Sequence, residues 1–180
     1  MQDAADDAGA GRLPQGRGVN GPGVGVAEAG ALHLLHPGDV ACGNRDEQFE
    51  TLLGSCVAVI LTDPRRSVGA MCHIVHASPA PAHARKDTHY ADAALASMHA
   101  MLRARAIEPT LCDAYVYGGG NMFPDLYGRE TIGERNVRWL LDTIAATGVN
   151  LVHEDVGGNT YRRLRWTVGP DAPSVTAVSV

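Results

Sequence analysis

A chain of 180 residues, 45% apolar and 19% charged, has room for one domain with a full core and little for a second. Its formal net charge of -5 argues against a nucleic-acid partner, which calls for a basic excess or stripe. No apolar run approaches the roughly 18 to 20 residues that span a bilayer, and the acidic opening "MQDAADDAGAG" has neither region of a signal peptide, so a cytoplasmic protein without membrane insertion is expected.

Residues 1–31 are dominated by Gly, Ala and Asp without periodic apolar positions, which predicts a disordered leader before a single domain over residues 32–180. Short apolar runs return from "ALHLLHPGDVA" onward. "VAVIL" at 57–61 and "VGAMCHIV" at 68–75 read as two strands, joined by the turn chemistry of "TDPRRS" into a hairpin. In "THYADAALASMHAMLRARA" the residues Ala91, Leu95, Met98 and Leu102 form one stripe of an amphipathic helix. "LCDAYVY" resumes strand character and runs into "GGGN". The next helix has clear ends: Thr131 with Glu134 makes a capping box, Val137, Leu140, Leu141 and Ile144 share a face, and Gly148 suits a left-handed cap. "VNLVHED" and "YRRLRWTV", separated by "VGGN", read as two further strands. Strands and helices mix without regular βαβ alternation, which predicts an α+β fold.

Four cysteines, Cys42, Cys56, Cys72 and Cys112, lack the close spacing of a zinc or redox motif and are expected as free thiols. His33, His36, His73 and His76 likewise show no metal-ligand spacing, and His99 reads as a surface residue of the first helix. Neither a metal nor a cofactor is expected.

Cys56 follows a Gly-Ser turn at the mouth of the first hairpin strand. A catalytic cysteine needs a base, access to substrate and donors for a developing oxyanion. Gly54 permits a tight turn, after which the amides of Ser55 and Cys56 can face a substrate carbonyl. For the base, a two-residue hairpin loop closing Asp63 on Arg66 would set Cys56 opposite His73; a longer loop, which suits Pro64 better, would leave the two diagonal on one face. Strand alternation sends Cys72 to the other face, into the core beside Ala70 and Ile74. A buried structural role for Cys56 remains the alternative on pattern alone. Gly118, Gly119 and Gly120 can bring backbone close to a substrate, and Asn121 offers donor and acceptor for an amide; a plain tight turn reads equally well. Asp155, Gly157 and Gly158 read as a turn that Arg162 or Arg163 can pair with.

"HPGDV", "TLLGSCVAVILTDPRRSVGAMCHIV", "THYADAALASM", "YGGGNMF" and "IGERNVRWLLDTIAATGVNLVHEDVGGNTYRR" follow one another in an order that resembles the CheD family of chemoreceptor glutamine deamidases, over roughly residues 36–166. The resemblance implies hydrolysis of glutamine side-chain amides on methyl-accepting chemotaxis receptors, by a Cys-His pair with a threonine as third member. It also implies sandwich-like central sheets flanked by helices, like those of deamidating toxins. Carried over by motif, Cys56 is the nucleophile, His73 the base and Thr51 the third member, with Gly54, Ser55, Gly119, Gly120 and Asn121 around the oxyanion and substrate. A CheC-type phosphatase is the further partner implied. The competing expectations are a non-catalytic adaptor that binds receptors or such a phosphatase, and a receptor glutamyl methylesterase.

Overall fold

The structure, a computed structural model, describes residues 30–124 and 130–180; the leader expected over residues 1–31 lies outside the described residues apart from Gly30 and Ala31. Among the described residues nine strands run in chain order as β1 (Leu32–Leu35), β2 (Val40–Asn44), β3 (Gln48–Leu53), β4 (Val57–Thr62), β5 (Val68–Ile74), β6 (Asp113–Gly118), β7 (Asn150–Val156), β8 (Thr160–Thr167) and β9 (Ser174–Ser179). Two helices, α1 (Ala91–Arg103) and α2 (Ile132–Thr147), flank β6 in sequence. The strands form a four-stranded sheet in the order β1-β3-β8-β9 and a five-stranded sheet in the order β2-β5-β4-β6-β7. Pairing is antiparallel except for β1 with β3 and β6 with β7. The α+β class and the sandwich-like sheets expected from the sequence are what the chain adopts.

The layers follow from side-chain alternation. β4 is buried at all six positions because both its faces are covered. Val57, Val59 and Leu61 join Cys72, Ile74, Met98, Leu102, Leu140 and Ile144 in a core between the five-stranded sheet and the helices. Ala58 and Ile60 point the other way and meet Phe49, Leu53, Leu164 and Trp166 of the four-stranded sheet. β8 alternates cleanly, with Arg162, Leu164 and Trp166 inward. α2 carries its capping box, and Gly148 sits in the left-handed region at φ 72. In α1 the fully buried stripe is Ala91, Ala94, Met98 and Leu102, so the small Ala94 takes the place expected for Leu95, which is only partly covered. His99 is half-buried over this core rather than a surface residue, and burial pulls its pKa down.

The hairpin between β4 and β5 has the longer loop. Val57 lies opposite Ile74 and Ala58 opposite His73, so Cys56 and His73 are diagonal on the face between the sheets. Asp63 staples the loop by accepting from the amides of Arg65, Ser67 and Val68. Burial pushes its carboxyl pKa up, but these bonds together outweigh burial and hold it below the usual range. All four cysteines are free, and among the described residues no helix is long and apolar enough to cross a membrane.

Candidate active site

Three glycine-bearing segments meet at one end of the sandwich. Gly54, Ser55 and Cys56 carry the chain from β3 in one sheet to β4 in the other, and Gly157, Gly158 and Asn159 make the return crossing from β7 to β8. Gly118, Gly119 and Gly120 leave β6 between them. The backbone amides of Gly119 and Gly120 donate to the carbonyls of Cys56 and Gly54, each at 2.8 Å. The amides of Gly157 and Asn121 close the net on the carbonyls of Gly118 and Gly158, at 2.9 and 2.7 Å. Gly118 is required on two counts: its φ is +105, and a Cβ there would lie 2.3 Å from the Cys56 carbonyl oxygen. Gly119 and Gly120 therefore brace the cysteine turn with their amides. Asn121 spends its side-chain oxygen on the Phe123 amide within its own loop.

Inside this end, Thr51, His73 and Cys56 line the inter-sheet face. Thr51 is 1% exposed and His73 3%. The Thr51 hydroxyl donates to the Leu35 carbonyl at 2.8 Å and lies 2.8 Å from His73 Nδ1. Its one proton is thereby used, so toward His73 it can only accept; Nδ1 carries the hydrogen and Nε2 presents a lone pair. Nε2 is buried and has no hydrogen-bond partner among the described residues. Cys56 is half-buried and packs against the inter-sheet core. Burial brings the His73 pKa down to about 4, opposed by the Leu35 carbonyl and Asp39 and reinforced by His36 and His89. Burial also raises the Cys56 thiol above its ordinary value. Both groups are neutral near pH 7.

A cavity of about 250 Å³ opens beside the turn between Ser55, the 120–123 loop and the start of α2 at Thr131, Ile132 and Gly133. It reaches the cysteine turn through Ser55, and Cys56 packs on the inter-sheet core. Of the site residues expected from sequence, Thr51, Cys56 and His73 come together on one face; Gly54, Ser55, Gly119 and Gly120 form the turn beside them, and Asn121 lines the cavity. Asn136 lies early in the capped helix, where the sequence leaves a binding role open; it is 5% exposed, and its side chain reaches the carbonyls of Ser55 and Val75. The available signal was its place one turn before Leu140 on the buried face of α2, where an amide must find partners. Asp155 pairs with Arg162, Oδ1 accepting from Nε at 3.0 Å and from NH2 at 2.9 Å, while Arg163 turns outward to Glu50. Among the described residues no cluster of three His, Cys, Asp or Glu side chains could hold a metal ion.

Comparison with known proteins finds relatives of one family. The family model described as CheD chemotactic sensory transduction matches residues 76–170, a stretch that begins after His73. The chain is 34% identical over 137 residues to the probable chemoreceptor glutamine deamidase CheD of Pseudomonas fluorescens (strain SBW25), covering 73% of this chain and 76% of that protein. It is 33% identical over 137 residues to the probable chemoreceptor glutamine deamidase CheD 3 of Dechloromonas aromatica (strain RCB), covering 75% and 81%. An archaeal relative of the same description, from Methanococcus vannielii, is 30% identical over 125 residues, covering 69% and 81%.

Proposed function

The chain belongs to the CheD family, and from that premise we propose that it is a protein-glutamine deamidase of chemotaxis receptors that uses Cys56 as nucleophile and His73 as base and acid. The observation that carries this reading is the buried Thr51–His73 contact, which leaves His73 Nε2 unpartnered on the face that holds Cys56. A buried imidazole nitrogen without a partner costs about 1 to 3 kcal/mol, which is tolerable where a transferred proton is to land.

In the resting site thiol and imidazole are both neutral and no hydrogen bond joins them. As a glutamine side chain enters, the Cys56 proton passes to Nε2 and Sγ attacks the Cδ carbonyl carbon. The oxygen gains the negative charge, and the Ser55 and Cys56 amides serve as its donors. Each trans peptide sets its N–H opposite its C=O, and the carbonyls of Gly54 and Ser55 are held by the Gly120 amide and the Asn136 side chain. His73, now imidazolium, gives its proton to the amide nitrogen; the C–N bond breaks, ammonia leaves, and a thioester remains. Water attacks the thioester with neutral His73 as base, the C–S bond breaks, and glutamate is released with the thiol restored.

Thr51 shapes this cycle by being neutral. A carboxylate in its place would stabilise the imidazolium, whereas a hydroxyl orients the ring and adds little charge stabilisation. His73 is consequently a modest base and a strong acid. That balance suits an amide, whose nitrogen cannot leave until it is protonated.

Incubating a receptor cytoplasmic domain with the protein should release ammonia in step with conversion of specific glutamines to glutamate. Methanol release from methylated receptor without any ammonia from glutamine would replace the amidase reading with an esterase one. Receptor binding with neither product would replace it with an adaptor.

A further inference from the structure

The ladder between β4 and β5 ends at the pair Val57 and Ile74. Just beyond that rung lie Cys56 on one strand and Val75 on the other, and the missing backbone link between the two chains is supplied by a side chain from α2. Asn136 Nδ2 donates to Ser55 O and to Val75 O, both at 3.0 Å, and Oδ1 accepts from the Ala77 amide at 2.9 Å. The two acceptors and one donor around it fix the orientation of the amide, and both its hydrogens are used. One planar group thus ties the peptide that enters Cys56 to the segment that leaves His73.

Resting on the deamidase reading above, we propose that Asn136 is a positioning residue for the reaction: by holding the Ser55 carbonyl it aims the Cys56 amide as an oxyanion donor. The Ser55–Cys56 peptide is trans, so its N–H points away from the carbonyl that Asn136 grips. Releasing the carbonyl lets this peptide rotate, and the donor no longer meets the oxygen where charge develops. Gly119 and Gly120 hold the neighbouring carbonyls of Cys56 and Gly54 by backbone amides, which no side-chain substitution removes. Asn136 is therefore the point at which side-chain chemistry governs the turn, and it does so from a residue that does not touch substrate.

The test uses the full chain carrying Asn136→Asp, which preserves shape and the acceptor for Ala77 but replaces both donors with an oxygen facing two carbonyls. Three rates are measured: receptor glutamine turnover, acylation of Cys56 by p-nitrophenyl acetate, and alkylation of Cys56 by iodoacetamide. Turnover and acylation both develop an oxyanion; alkylation is a displacement at a saturated carbon and develops none. Loss of one oxyanion donor predicts a fall of about 100-fold in kcat and in acylation, with KM and the alkylation rate within about threefold of wild type. Alkylation falling in step with acylation would overturn the proposal, because Asn136 would then merely hold thiol and imidazole together. Unchanged acylation would overturn it as well.

If Asn136→Asp does not fold, Asn136→Ala, which places no charge under the turn, is put through the same three measurements. A wild-type protein that is acylated and alkylated at Cys56 but converts no receptor glutamine would remove the substrate reading alone. The ratio of acylation to alkylation in the variant still decides the role of Asn136.

Discussion

At the scale of single residues, the site is governed by where protons sit. Thr51 spends its hydroxyl hydrogen on Leu35, which fixes the His73 tautomer, and burial holds that imidazole neutral down to a pKa of about 4. The proposed mechanism requires neutral His73, so the acid limb of kcat/KM is predicted near pH 4 to 5, well below the ordinary histidine value of about 6.5. A pH profile with its limb at 6.5 would contradict this assignment. Thr51→Val removes the acceptor and strands Nδ1–H, and a loss of about 100-fold in kcat/KM is expected, with Thr51→Ser restoring most of it. Steady-state kinetics on the two variants check the pair. Cys56 and His73 were legible in sequence as residues able to share a strand face, but the loop length that sets them diagonal was open. Thr51 was reached by resemblance; physically, its signal is a polar residue alternating with Phe49 and Leu53 on an inward face. Asn136 was legible only as an early helix position open to a binding role, because its partners are backbone carbonyls far away in sequence.

At the scale of elements, the start of α2 is docked backbone to backbone on the glycine loop. A Cβ at Gly133 would lie 2.2 Å from the Gly119 carbonyl oxygen and 2.6 Å from its carbon. Helix propensity favours Ala over Gly by up to about 1 kcal/mol, yet the contact is with backbone and cannot yield cheaply. Gly133→Ala is therefore predicted to destabilise, by about 1 to 3 kcal/mol, against the sign of propensity. Urea unfolding midpoints test this; a gain in stability would mean that the helix end is free to shift. The capped ends of α2 and the strands β4 to β8 could be read locally, since capping, alternation and turn chemistry are local signals. The strands β1, β2, β3 and β9 were not read: β9 is exposed at nearly every position and lacks a buried pattern of its own, whereas β3 does alternate, with Phe49, Thr51 and Leu53 inward.

At the scale of the whole molecule, two sheets and a helical layer hold a titratable pair in the seam between them, and pH reports on that burial. The folded pKa of His73 lies below its unfolded value, so the unfolded chain takes up the proton first as pH falls. The stability linked to it is fully present above about pH 6.5 and is lost progressively toward pH 4, by about 3 kcal/mol. Between pH 7.5 and 4.5 the wild type should lose about 2 to 3 kcal/mol more in urea titrations than His73→Gln; parallel losses would show that His73 is not buried as described. The sandwich itself follows from long-range pairing of strands that cross between sheets at Cys56 and Asn159, a topology that local pattern in the sequence does not encode. The central claim is that this seam holds a cysteine amidase. The most direct measurement is peptide mass spectrometry of a receptor cytoplasmic domain after incubation with wild type and with Cys56→Ala: glutamine converted to glutamate by wild type alone is the predicted result, and conversion that persists in Cys56→Ala would contradict the mechanism.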